Sequence, residues 1–246
     1  MNAASPDTTP RASPVIVTVD GPAGSGKSTL GRRLALALGL PLIDTGLLYR
    51  GVTVAAVRAG IDAGDPLRAA ALAARTLLDI NTDPAAPPGA WSVRVDGRDA
   101  SVEARDPRTA TLLAELSRLP EVRAVLLQRQ RDMARDGAVA VGRDCGTVVF
   151  PHAPVKFFLA ASAQVRADRR AEQLRHAGTT VDATELRAEI EGRDLLDTER
   201  AVSPLRAAAD AHIIDTGQLG IDAMVEEALR VCRQAGLAAG AREQPR

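Results

Sequence analysis

A glycine-rich octapeptide near the amino terminus constrains this chain more than any other feature. Residues 21–28, Gly-Pro-Ala-Gly-Ser-Gly-Lys-Ser, have the spacing G-x-x-x-x-G-K-[ST] of a phosphate-binding loop. Residues 15–20 (VIVTVD) before them predict a strand, and an apolar repeat over 28–38 predicts a helix that ends at Gly39. Because the motif lies between a strand and a helix, the alternative of a glycine-rich turn with a surface lysine is disfavoured.

This loop predicts a site for a nucleoside triphosphate. Glycines let the backbone approach phosphate oxygens, and the N–H groups of a helix N-terminus attract anions. Lys27 is expected to reach the β- and γ-phosphates, and the hydroxyl of Ser28 or Thr29 to hold Mg²⁺ or a water bound to it. The residues expected to bind ATP are Gly21, Pro22, Ala23, Gly24, Ser25, Gly26, Lys27, Ser28 and Thr29.

Strands and helices alternate along the rest of the chain, which predicts an α/β fold with a parallel sheet and helices on both faces. The other predicted helices are 46–60, 66–78, 107–118, 120–135, 163–176, 182–200 and 221–234, and the other predicted strands are 91–95, 99–103, 138–142, 155–159 and 211–214. A short strand is also expected to end at Asp44. The hairpin near 80–104 and the charged helix after 179 do not fit a minimal sheet and are interpreted as attachments.

Composition excludes several classes of protein. The 31 basic and 31 acidic residues balance, which argues against nucleic-acid binding and against a polybasic membrane anchor. No apolar run is long enough for a membrane span, and residues 1–14 lack the apolar stretch of a signal peptide. Two cysteines exclude a disulfide scaffold. We therefore expect a cytoplasmic protein with reduced thiols, and we expect it to be a monomer.

Two short segments place an arginine near a strand end. Asp44-Thr45-Gly46 opens the helix that carries Arg50, and a helix cap with a surface arginine is the alternative interpretation. Arg143 and Asp144 follow an apolar strand, whose carboxyl end faces the ligand crevice in an open α/β sheet. A strand-end ion pair would be the simpler explanation of that second segment. All but two of the 31 basic residues are arginine, so a lone arginine is weak evidence.

A third cluster lies on one predicted helix. Arg193, Asp197 and Arg200 are four and three positions apart, so they share a helix face. That face could bind phosphate, or it could be a solvated surface with paired charges.

Six segments, in order and with matching spacing, make this sequence resemble the bacterial cytidylate kinases. They are VDGPAGSGKSTLGRRLA at 19–35, IDTGLLYRG at 43–51, LPEVRAVLLQRQR at 119–131, VGRDCGTVVFPHAP at 141–154, ASAQVRADRR at 161–170 and EIEGRDLLDTERAVSPLRAAADAHIIDT at 189–216. The resemblance implies a P-loop three-layer αβα kinase fold with a central parallel sheet. It also implies a kinase domain over 15–236, with a monophosphate-binding region at about 45–118 and a mobile lid at about 178–200. Residues 1–14 and 237–246 are expected to be disordered or frayed tails.

The resemblance also implies an activity, the transfer of the γ-phosphoryl group of ATP to CMP or dCMP with Mg²⁺. Lys27, Arg143, Arg193 and Arg200 would supply positive charge to the transferred group. Other implied roles are acceptor-phosphate contacts from Thr45, Arg50, Arg143 and Arg200, cytosine contacts from Arg123 and Asp144, ribose contacts from Asp197 and adenine stacking on Arg169.

One position departs from the family pattern. The serine that helps to read the base in relatives corresponds to Ala114, although a shifted alignment would bring Ser117 near the site. The preference for CMP over UMP is therefore open. Two other interpretations also stay open: another small-molecule kinase, such as a UMP/CMP, adenylate or shikimate kinase, and a regulator that senses ATP without catalysis.

Overall fold

A computed structural model describes residues 14–87, 89–176, 178, 182–200 and 202–237. The eight strands in this part of the chain are β1 Ile16–Asp20, β2 Leu42–Asp44, β3 Leu78–Asn81, β4 Ser92–Val95, β5 Arg98–Asp99, β6 Ala138–Gly142, β7 Val155–Ala160 and β8 His212–Asp215. The eight α-helices are α1 Lys27–Leu38, α2 Thr45–Ala59, α3 Pro66–Arg75, α4 Ala110–Leu116, α5 Pro120–Met133, α6 Ala163–His176, α7 Ala183–Thr198 and α8 Ile221–Gln234. The predicted tails lie outside the described residues, except for Pro14 and Leu237.

The central sheet is parallel and has the strand order β2-β6-β1-β7-β8. Alternate residues of β1 and β6 (Val17, Val19, Val139 and Val141) pack with α1 and α8 on one face. Ala138 and Ala140 of β6 face the other side, where they pack with residues that follow α5. The predicted three-layer αβα fold is confirmed, and it brings the carboxyl ends of β1, β2 and β6 to one edge.

Close packing of α1 on this sheet depends on a glycine. A Cβ atom on Gly31 would lie 2.3 Å from Cγ2 of Val141. A distance that short is a steric clash, so a larger residue would push the helix away from the sheet. The helix that begins at the phosphate-binding loop is therefore held tightly against β6.

The insert between α2 and α4 shares an apolar core with α2, α4 and α5 and forms a small antiparallel sheet in the order β3-β4-β5. Two predictions about it are wrong. The helix predicted over 66–78 ends at Arg75, because Leu78–Asn81 pairs with Ser92–Val95 as a strand. The strand predicted over 99–103 is only Arg98–Asp99, and a short 3₁₀ helix, Glu103–Arg105, follows.

Candidate active site

Two clefts lie on either side of the phosphate-binding loop. The first, of about 370 Å³, is bordered by the carboxyl ends of β2 and β6, by α2, by the α4–α5 turn and by α7. The second, of about 550 Å³, lies between the loop, α6 and the start of α8. Gly24, Lys27 and Ser28 line both clefts. The loop is therefore the wall that the two clefts share.

The loop has the backbone geometry that phosphate binding requires. Gly21 has φ 148°, and a Cβ atom there would lie 2.4 Å from the carbonyl oxygen of Leu159. Gly26 precedes α1 with φ 96°, and no side chain caps that helix. Its first N–H groups therefore lack a capping side chain and can bind an anion.

Lys27 lies at the shared wall. Its Nζ donates a hydrogen bond to the carbonyl oxygen of Pro22, at 2.6 Å. Burial of the ammonium group lowers its pKa to about 8, with a further contribution from Arg143, while Asp44 and Asp20 oppose the shift. A bound polyphosphate would add negative charge beside this group and raise its pKa again.

Asp20, at the end of β1, is a residue that the sequence analysis did not select. Its carboxylate accepts hydrogen bonds from the backbone N–H groups of Cys145 and Gly146, at 2.9 and 2.7 Å. Burial raises the pKa of Asp20 to about 6, although these two hydrogen bonds oppose the shift. The contacts anchor the backbone immediately after Arg143 and Asp144, and the only sequence signal was a carboxylate at a strand end.

Arg169 lies in the second cleft, on α6. Its Nη1 donates to the hydroxyl of Thr216 at 3.2 Å, and its Nη2 to the Thr216 carbonyl oxygen at 2.5 Å. The Thr216 hydroxyl in turn donates to the carbonyl oxygen of Ser25 in the loop, at 3.0 Å. Arg169 is thus connected to the phosphate-binding loop through a single side chain.

A neighbouring arginine on α6, Arg166, is a residue that the sequence did not single out. Its side chain is buried, and its guanidinium donates to the carbonyl oxygens of Ala161 (3.1 Å) and Ala23 (3.2 Å). It also forms a two-point ion pair with Asp194 of α7. Arg166 therefore connects the helix predicted as the lid with the phosphate-binding loop.

On the acceptor side, Thr45 and Arg50 both line the first cleft. The Thr45 hydroxyl donates to the carbonyl oxygen of Val141 at 3.0 Å, so its single proton is already used. The contact of Thr45 with an acceptor phosphate stays a prediction, and in this arrangement the hydroxyl proton is directed to Val141. Arg50 donates to the carbonyl oxygen of Ala104 at 2.6 Å, which orients its guanidinium along the cleft.

Arg123 and Asp144 form a buried ion pair in the first cleft. Arg123 Nη1 also donates to the carbonyl oxygen of Ser117 at 3.0 Å, and its guanidinium carbon lies 5.5 Å from the ring centroid of Tyr49. These contacts hold a planar donor group and a carboxylate side by side. Such a pair can recognise a base edge with both donors and acceptors.

Asp197 of α7 joins two arginines of the predicted site. Its carboxylate, which is 3% exposed, forms ion pairs with Arg143 Nη1 and Arg200 Nη2. Burial lowers the pKa of Arg143 to about 10, although the charge of Asp197 opposes the shift. Arg193, one turn earlier on α7, also lines the cleft. The predicted cluster therefore borders the cleft: Asp197 is buried and Arg193 is exposed on α7, and Arg200 follows the end of the helix at Thr198.

Both positions considered for the base-reading hydroxyl line the same cleft. Ala114 has no hydroxyl, whereas the hydroxyl of Ser117 donates to the carbonyl oxygen of Ala114 at 3.0 Å and accepts from Arg200 Nη2 at 3.2 Å. The structure therefore brings Ser117 into the cleft through a contact with Arg200, which follows the end of α7.

Ser28 and Thr29 differ in position. Ser28 lines both clefts, whereas Thr29 lines only the second.

Among residues 14–87, 89–176, 178, 182–200 and 202–237, no cluster of three or more His, Cys, Asp or Glu side chains is placed to hold a metal. In the same residues, no helix is long and apolar enough to cross a membrane.

Comparison with known proteins is consistent with this geometry. The family model described as cytidylate kinase matches residues 17–234. The chain is 43% identical over 223 residues to a cytidylate kinase from Nocardia farcinica, covering 90% of this chain and 94% of that protein. It is 44% identical over 217 residues to a cytidylate kinase from Methylococcus capsulatus, covering 88% and 96%. It is also 43% identical over 224 residues to a bifunctional pantoate ligase/cytidylate kinase from Synechococcus elongatus, covering 90% of this chain and 42% of that longer protein.

Proposed function

This chain belongs to the cytidylate kinase family and is an ATP-dependent phosphotransferase acting on CMP, and we propose that its two clefts hold the two nucleotides. The observation that carries the proposal is the wall they share, made by Gly24, Lys27 and Ser28. Donor and acceptor phosphates that meet at this wall would be adjacent for direct transfer. Such positioning can supply a large part of the rate enhancement of an enzyme.

In this proposal the second cleft holds ATP. The phosphates contact residues 21–29, with Lys27 at the β- and γ-phosphates and the N–H groups of α1 as further donors. Arg169 lies farther along this cleft, beside Thr216, where the adenine ring would extend. A guanidinium plane can stack on a base.

The first cleft holds CMP. Asp144 can accept a hydrogen bond from the N4 amino group of cytosine, and Arg123 can donate to O2 and N3. Asp197 lies where a carboxylate can accept from ribose hydroxyls, while Arg50 and Arg143 contact the acceptor phosphate. Because the proton of Thr45 is committed to Val141, we assign Thr45 to positioning this wall rather than to donating to the phosphate.

Catalysis then depends on charge and position rather than on a general base. The nucleophile is an oxygen of the CMP phosphate, which is already anionic. Lys27, Arg143, Arg193 and Arg200 supply positive charge to the transferred group. Closing α7 over the cleft would exclude water, which would otherwise accept the phosphoryl group.

The loop also fits Mg²⁺. Ser28 presents a hydroxyl at the wall that both clefts share, and oxygen is the ligand type that Mg²⁺ prefers. When bound, the ion would neutralise charge on the β- and γ-phosphates. Thr29 lies only on the ATP side, so Ser28 is the better placed of the two predicted ligands.

An assay of ADP formation with CMP, dCMP, UMP, AMP and shikimate as separate acceptors tests the proposal. We expect CMP to give the highest kcat/KM, dCMP to be accepted, and ATP hydrolysis without an acceptor to be slow. Equal ADP formation with and without CMP would favour an ATP-sensing regulator, and a stronger response to another acceptor would favour a different small-molecule kinase. A cytoplasmic monomer stays a prediction from the sequence, and sedimentation of the purified protein would test the monomeric state.

A further inference from the structure

The polar side chains around the first cleft, which is called the acceptor cleft from here on, form a closed circuit of contacts. Asp144 pairs with Arg123, Arg123 donates to Ser117, Ser117 accepts from Arg200, Arg200 pairs with Asp197, and Asp197 pairs with Arg143. The peptide bond between Arg143 and Asp144 completes the circuit. We name these residues the acceptor ring: Arg123, Asp144, Arg143, Asp197, Arg200 and Ser117.

Ser117 is the only uncharged member of the acceptor ring, and it accepts hydrogen bonds from Arg123 and Arg200 with two different oxygen atoms. Its carbonyl oxygen accepts from Arg123 Nη1 at 3.0 Å, and its hydroxyl accepts from Arg200 Nη2 at 3.2 Å. The hydroxyl proton is directed to the carbonyl oxygen of Ala114, at 3.0 Å. Its oxygen is therefore left as an acceptor that faces Arg200.

The two arginines beside Ser117 each have an unused donor. Within the residues that the structure describes, the Nε–H groups of Arg123 and Arg200 are buried and have no hydrogen-bond partner. A buried donor without a partner is costly, so both groups are suited to an acceptor that a ligand brings. Nη1 and Nη2 of Arg123 contact Ser117 and Asp144, and Nη2 of Arg200 contacts Ser117 and Asp197, so these contacts determine where the two Nε–H groups lie.

We propose that Ser117 is a positioning residue that connects recognition of the base by Arg123 with placement of Arg200 over the reacting phosphates. The inference rests on the proposed function, because it names what selects the pyrimidine at the same site. A cytosine that engages Asp144 and Arg123 holds the Ser117 backbone in place, and the Ser117 hydroxyl then orients Arg200. A base that mismatches Asp144 loosens this connection. Selection of the base is therefore expressed in kcat as well as in binding.

The alternative is that the Ser117 hydroxyl contacts the base directly, replacing the hydroxyl that is missing at Ala114. The two ideas predict different kinetics. Direct contact would make the loss of the hydroxyl appear as weaker CMP binding. Positioning of Arg200 would make it appear as slower turnover at nearly unchanged binding, because Arg200 acts mainly on the transferred phosphoryl group.

The test compares Ser117→Ala with Ser117→Thr, which keeps a hydroxyl. Thr109→Ala is the matched control, since Thr109 donates to a carbonyl three residues back, as Ser117 does, but lies outside the cleft. Turnover is measured with CMP and UMP. The Kd for CMP is measured from the fluorescence of Trp91, the only tryptophan of the chain, which lines the acceptor cleft.

We expect Ser117→Ala to lower kcat for CMP about tenfold, the effect of one hydrogen bond to a charged group. The Kd for CMP should change by less than about twofold, the CMP-to-UMP ratio of kcat should fall, and Ser117→Thr should recover most of the rate. In an Arg200→Ala background, Ser117→Ala should have no further effect on kcat, because the connection is already cut.

Three results would overturn the inference while leaving the proposed function standing: kinetics of Ser117→Ala that match Thr109→Ala, a weaker CMP Kd at normal kcat, or independent effects of Ser117→Ala and Arg200→Ala. A wild-type protein that does not phosphorylate CMP would instead refute the proposed function. Thermal melting of each variant establishes that the compared proteins are folded.

Discussion

The two halves of the proposed active site, the ATP half at the second cleft and the acceptor half at the first cleft, are built in different ways. The ATP half is made largely by consecutive backbone groups of residues 21–29, and glycine conformations shape it. The acceptor half is made by side chains from α2, α5, α7 and the end of β6, which pair with one another across the cleft. A local stretch of chain is sufficient for the first half, whereas the second half exists only when distant elements pack correctly.

The two halves also differ in how they carry charge. In the loop, partial charges of N–H groups and the single ammonium of Lys27 would face the phosphates in the proposed complex. In the acceptor half, Asp197 partly neutralises Arg143 and Arg200, and Asp144 does the same for Arg123. Removal of the Asp144 or Asp197 carboxylate should therefore disturb the acceptor half more than removal of an exposed charge would, because buried cations would be left unpaired.

The largest effect should come from Lys27→Met in the ATP half. Loss of one preorganised positive group should lower kcat about 10²–10³-fold with the fold intact. Lys156→Met is the matched control, because Lys156 also donates to a proline carbonyl five residues back, at 2.6 Å, but pairs with Asp210 away from both clefts. It should lower the free energy of unfolding by about 1–3 kcal/mol and leave kcat unchanged. More than roughly a tenth of kcat in folded Lys27→Met would contradict the assigned role.

Next in size should be Asp197→Ala in the acceptor half. It removes the proposed ribose acceptor, which should raise KM for CMP, and it leaves Arg143 and Arg200 without their shared carboxylate, which should lower kcat. Together these effects should lower kcat/KM for CMP roughly 10²-fold. The kcat/KM of Asp197→Asn for CMP should lie between those of the wild type and Asp197→Ala, since an amide oxygen still accepts a hydrogen bond. Steady-state kinetics with CMP varied measures both, and an unchanged KM for CMP would contradict the ribose assignment.

The base preference should collapse in Asp144→Ala. Uracil presents an O4 acceptor to Asp144, so the wild type should favour CMP over UMP, and the variant should lose CMP activity at least about tenfold more than UMP activity. Ala114→Ser should sharpen the preference by about one hydrogen bond, roughly 0.5–1.5 kcal/mol. The measurement is kcat/KM for both nucleotides in all three proteins, and an equal loss for CMP and UMP would make Asp144 structural.

The pH dependence should distinguish the halves as well. With a pKa of about 8, Lys27 is charged below that pH and neutral above it, so kcat/KM for ATP should fall about tenfold per pH unit above 8. The fall in kcat should begin at higher pH, because bound phosphates restore the ammonium. Lys27→Arg keeps its charge, so its profile should stay flat across this range, whatever its absolute rate. A fall above pH 8 in both proteins would assign the titration to another group.

The smallest effect should come from Asp194→Asn, which weakens the connection between the halves. Arg166 keeps its bonds to the Ala161 and Ala23 carbonyls but loses an ionic partner on α7. We expect about a threefold rise in KM for ATP, with Asp194→Glu close to wild type. Glu191→Gln is the control, because among the residues that the structure describes Glu191 pairs only with the exposed Arg187 on the same helix.

Much of the fold followed from sequence periodicity. The strand at 16–20, the glycine-ended helix α1 and the helices α6 and α8 have bounds at or within one residue of the predicted ones. The errors cluster in the insert, where Leu77 and Leu78 continue an apolar pattern that also fits a helix. Pairing of Leu78 with Val95 decided that segment, and a short apolar run cannot reveal its partner strand.

The sequence by itself determined the phosphate-binding loop and its helix, because their geometry is set by glycines and hydrogen bonds within a few residues of each other. It also indicated that Arg193, Asp197 and Arg200 would lie together, although α7 ends at Thr198 and Arg200 follows it, so the predicted helix over 182–200 was two residues too long at that end. Only the tertiary structure decided which carboxylate pairs with which arginine, that the proton of Thr45 is used by Val141, and that Asp20, Arg166 and Ser117 take part. Apart from the Asp197–Arg200 pair, which is three positions apart, these contacts join residues 21 to 143 positions apart in the chain, and side chains at such separations meet only when the sheet and its helices bring them together.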